Sequence, residues 1–319
     1  MIEDKGLQEA KLEHLEGFKQ PENGNSFYYL TKDNTRLRVC IWNSESEKGT
    51  IVLQSGRGEF IEKYFEVVSD FINQGYCVAM FDWRGQGLSD RLTDNYYLGY
   101  VHDFKDYEND LLEICNEIYK DLPRPWIGMG HSMGGCLIAL SCSNNPTLFD
   151  KVILCAPMLS LKVPKTLKNL ALLIGNLSFI GFRKKAFPSI GSGQTEGWEQ
   201  VDFKDNVVTS DKERYLRSTS LIHKNKKLAI GPVSIAWLHE AIRNTDLMKK
   251  NNWAKKITAP LLLLNATKDR LVDPEVNKEI CLEMNNSVIV DIESEHEILM
   301  EKDSIREKAF KEIKKFIDS

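Results

Sequence analysis

The sequence predicts an α/β domain: a mostly parallel sheet with helices on both faces, interrupted once by a helical insertion. Three observations carry this. Short apolar runs at residues 49–54, 76–81, 125–129 and 259–266 alternate with stretches of helical period, the pattern of strands joined by crossover helices. The alternation stops after Cys155-Ala156-Pro157 and resumes near Leu261, with helical patterning between. A glycine-framed serine, Gly130-His131-Ser132-Met133-Gly134-Gly135, follows one apolar run and opens an apolar helix.

In chain order, residues 1–24 read as a polar arm, and 27–30 and 36–42 as an antiparallel strand pair at the sheet edge. Residues 49–54 are the first central strand, followed by a helix over 61–73 and a strand at 76–81. A helix over 104–119, the strand before Ser132, a helix over 133–143 and a strand near Val152 complete the first half. Residues 158–253 form the insertion, helical with interruptions at Pro164, Pro188, Gly191, Gly193 and Pro232. A strand over 259–266, another over 287–292 and a terminal helix close the chain. Residues 25–157 and 254–319 are thus expected to form the core, and 158–253 a cap.

Ser132 has the strand-turn-helix context of a nucleophile elbow. A serine held in a tight turn with positive φ needs neighbours without Cβ, and Gly130 and Gly134 supply them. A hydroxyl is a weak nucleophile at neutral pH, so it needs a base that is itself oriented by an acid. Of the six histidines, only His296 sits in a loop between the last strand and the last helix, where an imidazole can swing over the sheet. Asp269 is the first carboxylate past the strand over 259–266, at the carboxyl end of the sheet where sites of open α/β folds lie. Asp273 competes, but it precedes Pro274 and a helix, the place of an N-cap. The oxyanion of the tetrahedral intermediate needs backbone donors: Met133 N–H, and Arg57 N–H in the glycine-bearing loop Ser55-Gly56-Arg57-Gly58-Glu59.

That loop, then Asp82-Trp83-Arg84-Gly85-Gln86-Gly87-Leu88-Ser89, the Ser132 elbow, and Asp269 with His296, resemble in order the α/β-hydrolases of the branch holding monoacylglycerol lipases, bacterial lysophospholipases and serine-aminopeptidase-like proteins. The resemblance runs from about residue 25 to the end. It implies an α/β-hydrolase fold with a helical cap, an acyl-enzyme mechanism and a bracing role for the Arg-Gly-Gln-Gly segment. Monoacylglycerol lipases usually carry His before the glycine of the oxyanion loop. Ser55 followed by Arg57 is more similar to the bacterial lysophospholipases.

The composition, 42% hydrophobic with a formal charge of −4, is that of a globular chain and gives no reason to expect nucleic acid. The N-terminus is acidic and lacks an apolar run, so no secretory signal is expected and the protein is placed in the cytoplasm. Seven scattered cysteines read as reduced core residues, and no metal or dinucleotide spacing occurs, so no cofactor is expected. In the insertion, residues 167–182 are apolar and flanked by Lys165, Arg183, Lys184 and Lys185. This segment is open to three uses: walling an acyl pocket through Leu173, Ile174 and Phe179, peripheral membrane contact, or plain packing on the core. Lys224, Lys226 and Lys227 add positive charge that is open to meeting a phosphate head group, with a solvated face as the default reading. The expected function is hydrolysis of a lipid monoester, a lysophospholipid or monoacylglycerol. An amidase or aminopeptidase, with Glu196, Glu199, Asp202 or Glu240 binding a free amine, and a non-catalytic binder on the same fold are the alternatives.

Overall fold

The structure, a computed structural model, describes residues 7–177, 180–187, 201–250 and 252–319. Its sheet runs β1 (Gln8–Glu9), β2 (Gly24–Leu30), β3 (Arg36–Trp42), β5 (Cys77–Phe81), β4 (Thr50–Gln54), β6 (Trp126–His131), β7 (Lys151–Cys155), β8 (Leu261–Ala266), β9 (Ser287–Ile292). The pairs from β5 to β9 are parallel, and β1, β2 and β3 add antiparallel strands at one edge. The fold class read from the sequence is the one observed.

Strand alternation divides the core between the two faces. Val52, Leu261 and Leu263 face one way, with α2 (Phe104–Glu117), α3 (Met133–Asn144) and α8 (Pro274–Leu282). Ile51, Leu53, Leu262 and Leu264 face the other, with α1 (Phe65–Asn73) and α9 (Asp303–Asp318). Helix starts follow local chemistry. Asp103 and Asp106 form a capping box on α2, and Asp273 caps α8 with Pro274 in its first turn.

Two stretches differ from expectation. The helix expected over 61–73 opens as a 3-10 turn, Ile61–Tyr64, and becomes α-helical at Phe65, because the buried Glu62 and Tyr64 side chains are directed to Arg38 and Glu59. The described part of the arm is also more than a tail. β1 pairs with β2, Ala10 and Leu12 are buried, and Glu13 N–H donates to Glu62 at 3.0 Å.

Between β7 and β8 the described residues hold α4 (Lys165–Leu177), α5 (Ile180–Arg183), α6 (Lys212–Lys224) and α7 (Ile235–Met248), and no strand beyond single bridges at Val233, Ala186 and Ser234. Pro188, Gly191 and Gly193 lie outside the described residues. The segment is packed within itself and tied to the core. α4 packs on α7 through Ala171, Ile174, Leu238 and Ile242. α6 is tied to the core by Arg214, which bonds Glu66 and Asp303, and by Arg217 on Glu66. Lys224 reaches the carbonyl of His14, while Lys226 and Lys227 are exposed.

Candidate active site

Register aligns the carboxyl ends of the central strands, with Gln54 opposite Gly130 and His131 opposite Cys155. Loops after β4, β6, β8 and β9 therefore meet on one edge. Ser132 follows β6 directly, with φ 50° and ψ −116°. A non-glycine residue there costs on the order of 1–3 kcal/mol, so the surroundings must enforce it. They do so by close packing: a Cβ on Gly130 would lie 2.6 Å from the carbonyl carbon of Gly134, and one on Gly134 would overlap the Gln54 and Ser55 carbonyl oxygens. Ser132 N–H donates to Cys155 O at 3.1 Å, and its carbonyl accepts from Met158 and Cys136.

Asp269 and His296 come together. Nδ1 of His296 lies 2.5 Å from Oδ2 of Asp269, and both residues are buried. The other oxygen, Oδ1, accepts from the Leu271 and Val272 amides at 2.8 and 3.1 Å. Burial opposes the charge on Asp269, but the hydrogen bond and charge of His296, with the two amides, outweigh it and hold the carboxyl below its ordinary pKa. Asp273 instead accepts from Glu275 N–H as the cap of α8. The Nε2 nitrogen of His296 has no partner among the described residues.

The Ser55–Glu59 loop lies against the elbow, where a Cβ on Gly56 would sit 3.2 Å from that of Ser132. Two of its carbonyls are held by side-chain donors, Trp83 Nε1 to Ser55 O at 3.0 Å and Gln86 Nε2 to Gly56 O at 2.9 Å. The Asp82-to-Ser89 segment is itself fastened through Asp82 to Arg38, Ile61 N–H and Leu88 N–H. The Arg57 and Met133 amides donate to no acceptor among the described residues.

Sequence reasoning missed what lies behind these groups. His131 places Nδ1 3.0 Å from Glu59 Oε2 and Nε2 3.2 Å from the His296 carbonyl, with the two imidazole centroids 4.8 Å apart. Both nitrogens face acceptors, which calls for the imidazolium. Burial disfavours that charge, but Glu59 and Glu297 outweigh it and raise the His131 pKa. Glu59 also accepts from Gly56 N–H and from the Tyr64 hydroxyl, and Lys63 joins it at 2.8 Å to Glu297 at 2.5 Å. One buried cluster thus holds the Ser55–Glu59 loop, the elbow and the His296 loop. Its only sequence signals were an acid beside the glycines and an acid following His296.

Of the residues expected to wall a pocket, Leu173 is 56% exposed, Ile174 packs into the seam between α4 and α7, and Phe179 lies outside the described residues. Among candidate amine-binding acids, Glu240 is buried against Arg183 and His239, Asp202 is exposed, and Glu196 and Glu199 lie outside the described residues.

A family model described as serine aminopeptidase, S33, matches residues 45–303. Lysophospholipase L2 of Escherichia coli (strain K12) is 28% identical over 298 residues, 90% of this chain and 85% of that protein. Monoglyceride lipase of Rattus norvegicus is 28% identical over 251 residues, 77% of this chain and 74% of that protein. A crystal structure of a soluble variant of monoglyceride lipase from Saccharomyces cerevisiae, in complex with a substrate analog, superposes with a TM-score of 0.72 at 19% identity. It covers 94% of this chain and 97% of that one, a likeness of fold. With the model matching most of its length and the sheet, elbow and loop order in place, the chain belongs to the serine aminopeptidase, S33, family of α/β-hydrolases and is a serine hydrolase.

Proposed function

We propose that the protein hydrolyses carboxylic esters of lipid monoesters, a lysophospholipid or a monoacylglycerol, through an acyl-enzyme on Ser132. The observation that carries this is the buried pair of Asp269 and His296 on the same sheet edge as a strained Ser132 flanked by two unpartnered amides. In this reading Asp269 fixes the Nδ1–H tautomer of His296, and Nε2 takes the Ser132 proton as Oγ attacks the carbonyl carbon. The carbonyl oxygen becomes the oxyanion, held by Arg57 and Met133 N–H. Collapse expels the glycerol alkoxide, protonated by His296, and water then repeats the sequence to release the fatty acid.

The names of the relatives, lysophospholipase L2 and monoglyceride lipase, support a lipid monoester as substrate. So does the cap surface: Leu170, Leu173 and Phe182 are exposed beside Lys165, Lys184 and Lys185, a composition suited to peripheral contact with an anionic lipid surface. Among the described residues no helix is long and apolar enough to cross a membrane. Seven unpaired, buried cysteines support a reducing, cytoplasmic setting.

The test is a panel of monoacyl lipids, short-chain esters and aminoacyl amides given to the purified protein and to its Ser132→Ala variant. Release of fatty acid from a long-chain monoester by the wild type, abolished in the variant, is expected. Turnover of the amides alone would replace this reading with the aminopeptidase one, and no turnover of any substrate would leave a binder.

A further inference from the structure

We propose that the Arg57 guanidinium is a subsite for the phosphodiester of the substrate, so that this one residue holds the ester oxyanion with its amide and the head-group phosphate with its side chain. The inference rests on the lipid-monoester reading and narrows it to a monoacyl glycerophospholipid.

The cations buried elsewhere in the fold mostly have acids. Arg38 has Glu62 and Asp82, Lys63 has Glu59 and Glu297, Arg84 has Asp110 and Asp33, and Arg214 has Glu66, Asp211 and Asp303. Arg91 lacks an acid and leaves its Nη1 without a partner among the described residues, but its other two nitrogens donate to the carbonyls of Tyr96, Lys227 and Ala229, three bonds that brace the loop. Arg57 is different. Among the described residues its side chain makes a single hydrogen bond, from one terminal nitrogen to Gly231 O at 2.6 Å, and its planar group lies 5.3 Å from the Trp237 ring centroid. Among the described residues its Nε is buried without a partner, and no carboxylate pairs with it. Burial without a counter-anion lowers its pKa to about 10, against only a weak opposing pull from Tyr107.

An uncompensated guanidinium is unfavourable for stability alone and is well matched to a ligand anion with two oxygens, which the planar fork takes in a bidentate fashion. The fold makes room for it. A Cβ on Gly99 would lie 2.5 Å from a terminal nitrogen of Arg57, so the bare backbone at that position lets the side chain pass. Its anchor is the loop that touches Ser132, and in a lysophospholipid only a glycerol separates the ester carbonyl from the phosphate. A monoacylglycerol presents a neutral hydroxyl at that point and leaves the charge unmet.

The experiment compares kcat/KM for 1-oleoyl-lysophosphatidylethanolamine and 1-oleoylglycerol, in the same detergent, for wild type, Arg57→Gln and Arg57→Lys. The reading is the ratio of the two substrates, in which any loss from a disturbed oxyanion loop cancels. The ratio is expected to fall about tenfold or more in Arg57→Gln, chiefly through KM of the phospholipid, and to recover in part in Arg57→Lys, which keeps the charge without the fork. Should Arg57→Gln not fold, the smaller fall in Arg57→Lys carries the test. An unchanged ratio in the folded variants overturns the phosphate subsite, as does a wild type that cleaves 1-oleoylglycerol but not the phospholipid. In both cases the lipid-monoester reading survives. A wild type that cleaves neither lipid overturns both.

Discussion

Asp269 and Asp273 stand four positions apart and do different work, which makes them a sharp pair for substitution. Asp269→Asn leaves the shape but removes the charge and the acceptor that fix the His296 tautomer, and ester turnover is expected to fall by about three to four powers of ten. Asp273→Asn keeps an N-cap as good as the original, so activity and melting temperature should stay near wild type. A tolerated Asp269→Asn would mean another group orients His296. His131 gives a pH test. Its pKa is raised in the folded state, so its pairing with Glu59 contributes fully below the ordinary value of about 6.5 and fades as pH rises through the raised value. The melting-temperature deficit of His131→Gln should accordingly be largest near pH 6 and shrink by pH 9. A deficit that is flat with pH would mean the ring acts by packing alone. These contacts were not legible in the sequence, because the imidazole next to Ser132 reads there as a spacer and Glu297 as one more acid in an acidic loop.

At the level of elements, α4 and α6 illustrate what patterning shows and what it hides. The apolar run that opens at Leu167 was visible, but which of its residues turn outward depends on α7, far along the chain. Leu173→Asp, at an exposed position, should leave the melting temperature near wild type while reducing association with anionic vesicles. Ile174→Asp would bury a carboxylate between α4 and α7 and should destabilise by several kcal/mol. Equal vesicle binding by Leu173→Asp and wild type would remove this face of α4 as the lipid contact. α6 is held by charge. Burial pushes the Glu66 carboxyl up, but Arg214, Arg306 and Arg217 outweigh it and bring its pKa to about 2. Its stabilisation is present above the ordinary value near 4.5 and is lost as pH falls towards about 2. With solvent screening of this partly exposed network, Glu66→Gln should cost on the order of 1 kcal/mol at pH 7, a difference that closes in acid. A difference that persists undiminished at pH 2 would contradict the assignment.

Across the whole molecule, the strands and helices of the sheet were readable because each obeys a local period, whereas β1 was not, since Gln8 and Glu9 are exposed and have no apolar alternation. The positions of Ser132, Asp269 and His296 followed from their place after strands, because parallel topology delivers every such loop to the same edge. What the sequence withheld was the ionic cluster beneath them, whose members come from β6 and the segments after β4 and β9, and the lack of a carboxylate beside Arg57 among the described residues. The central claim is that this sheet edge turns Ser132 into a nucleophile through His296. Labelling of the folded protein with a fluorophosphonate probe, read by peptide mass spectrometry, tests it most directly. The account predicts modification of Ser132 and no other serine, slowed by orders of magnitude in folded His296→Ala. Labelling of a different serine, or an unchanged rate at Ser132 in that variant, would contradict it.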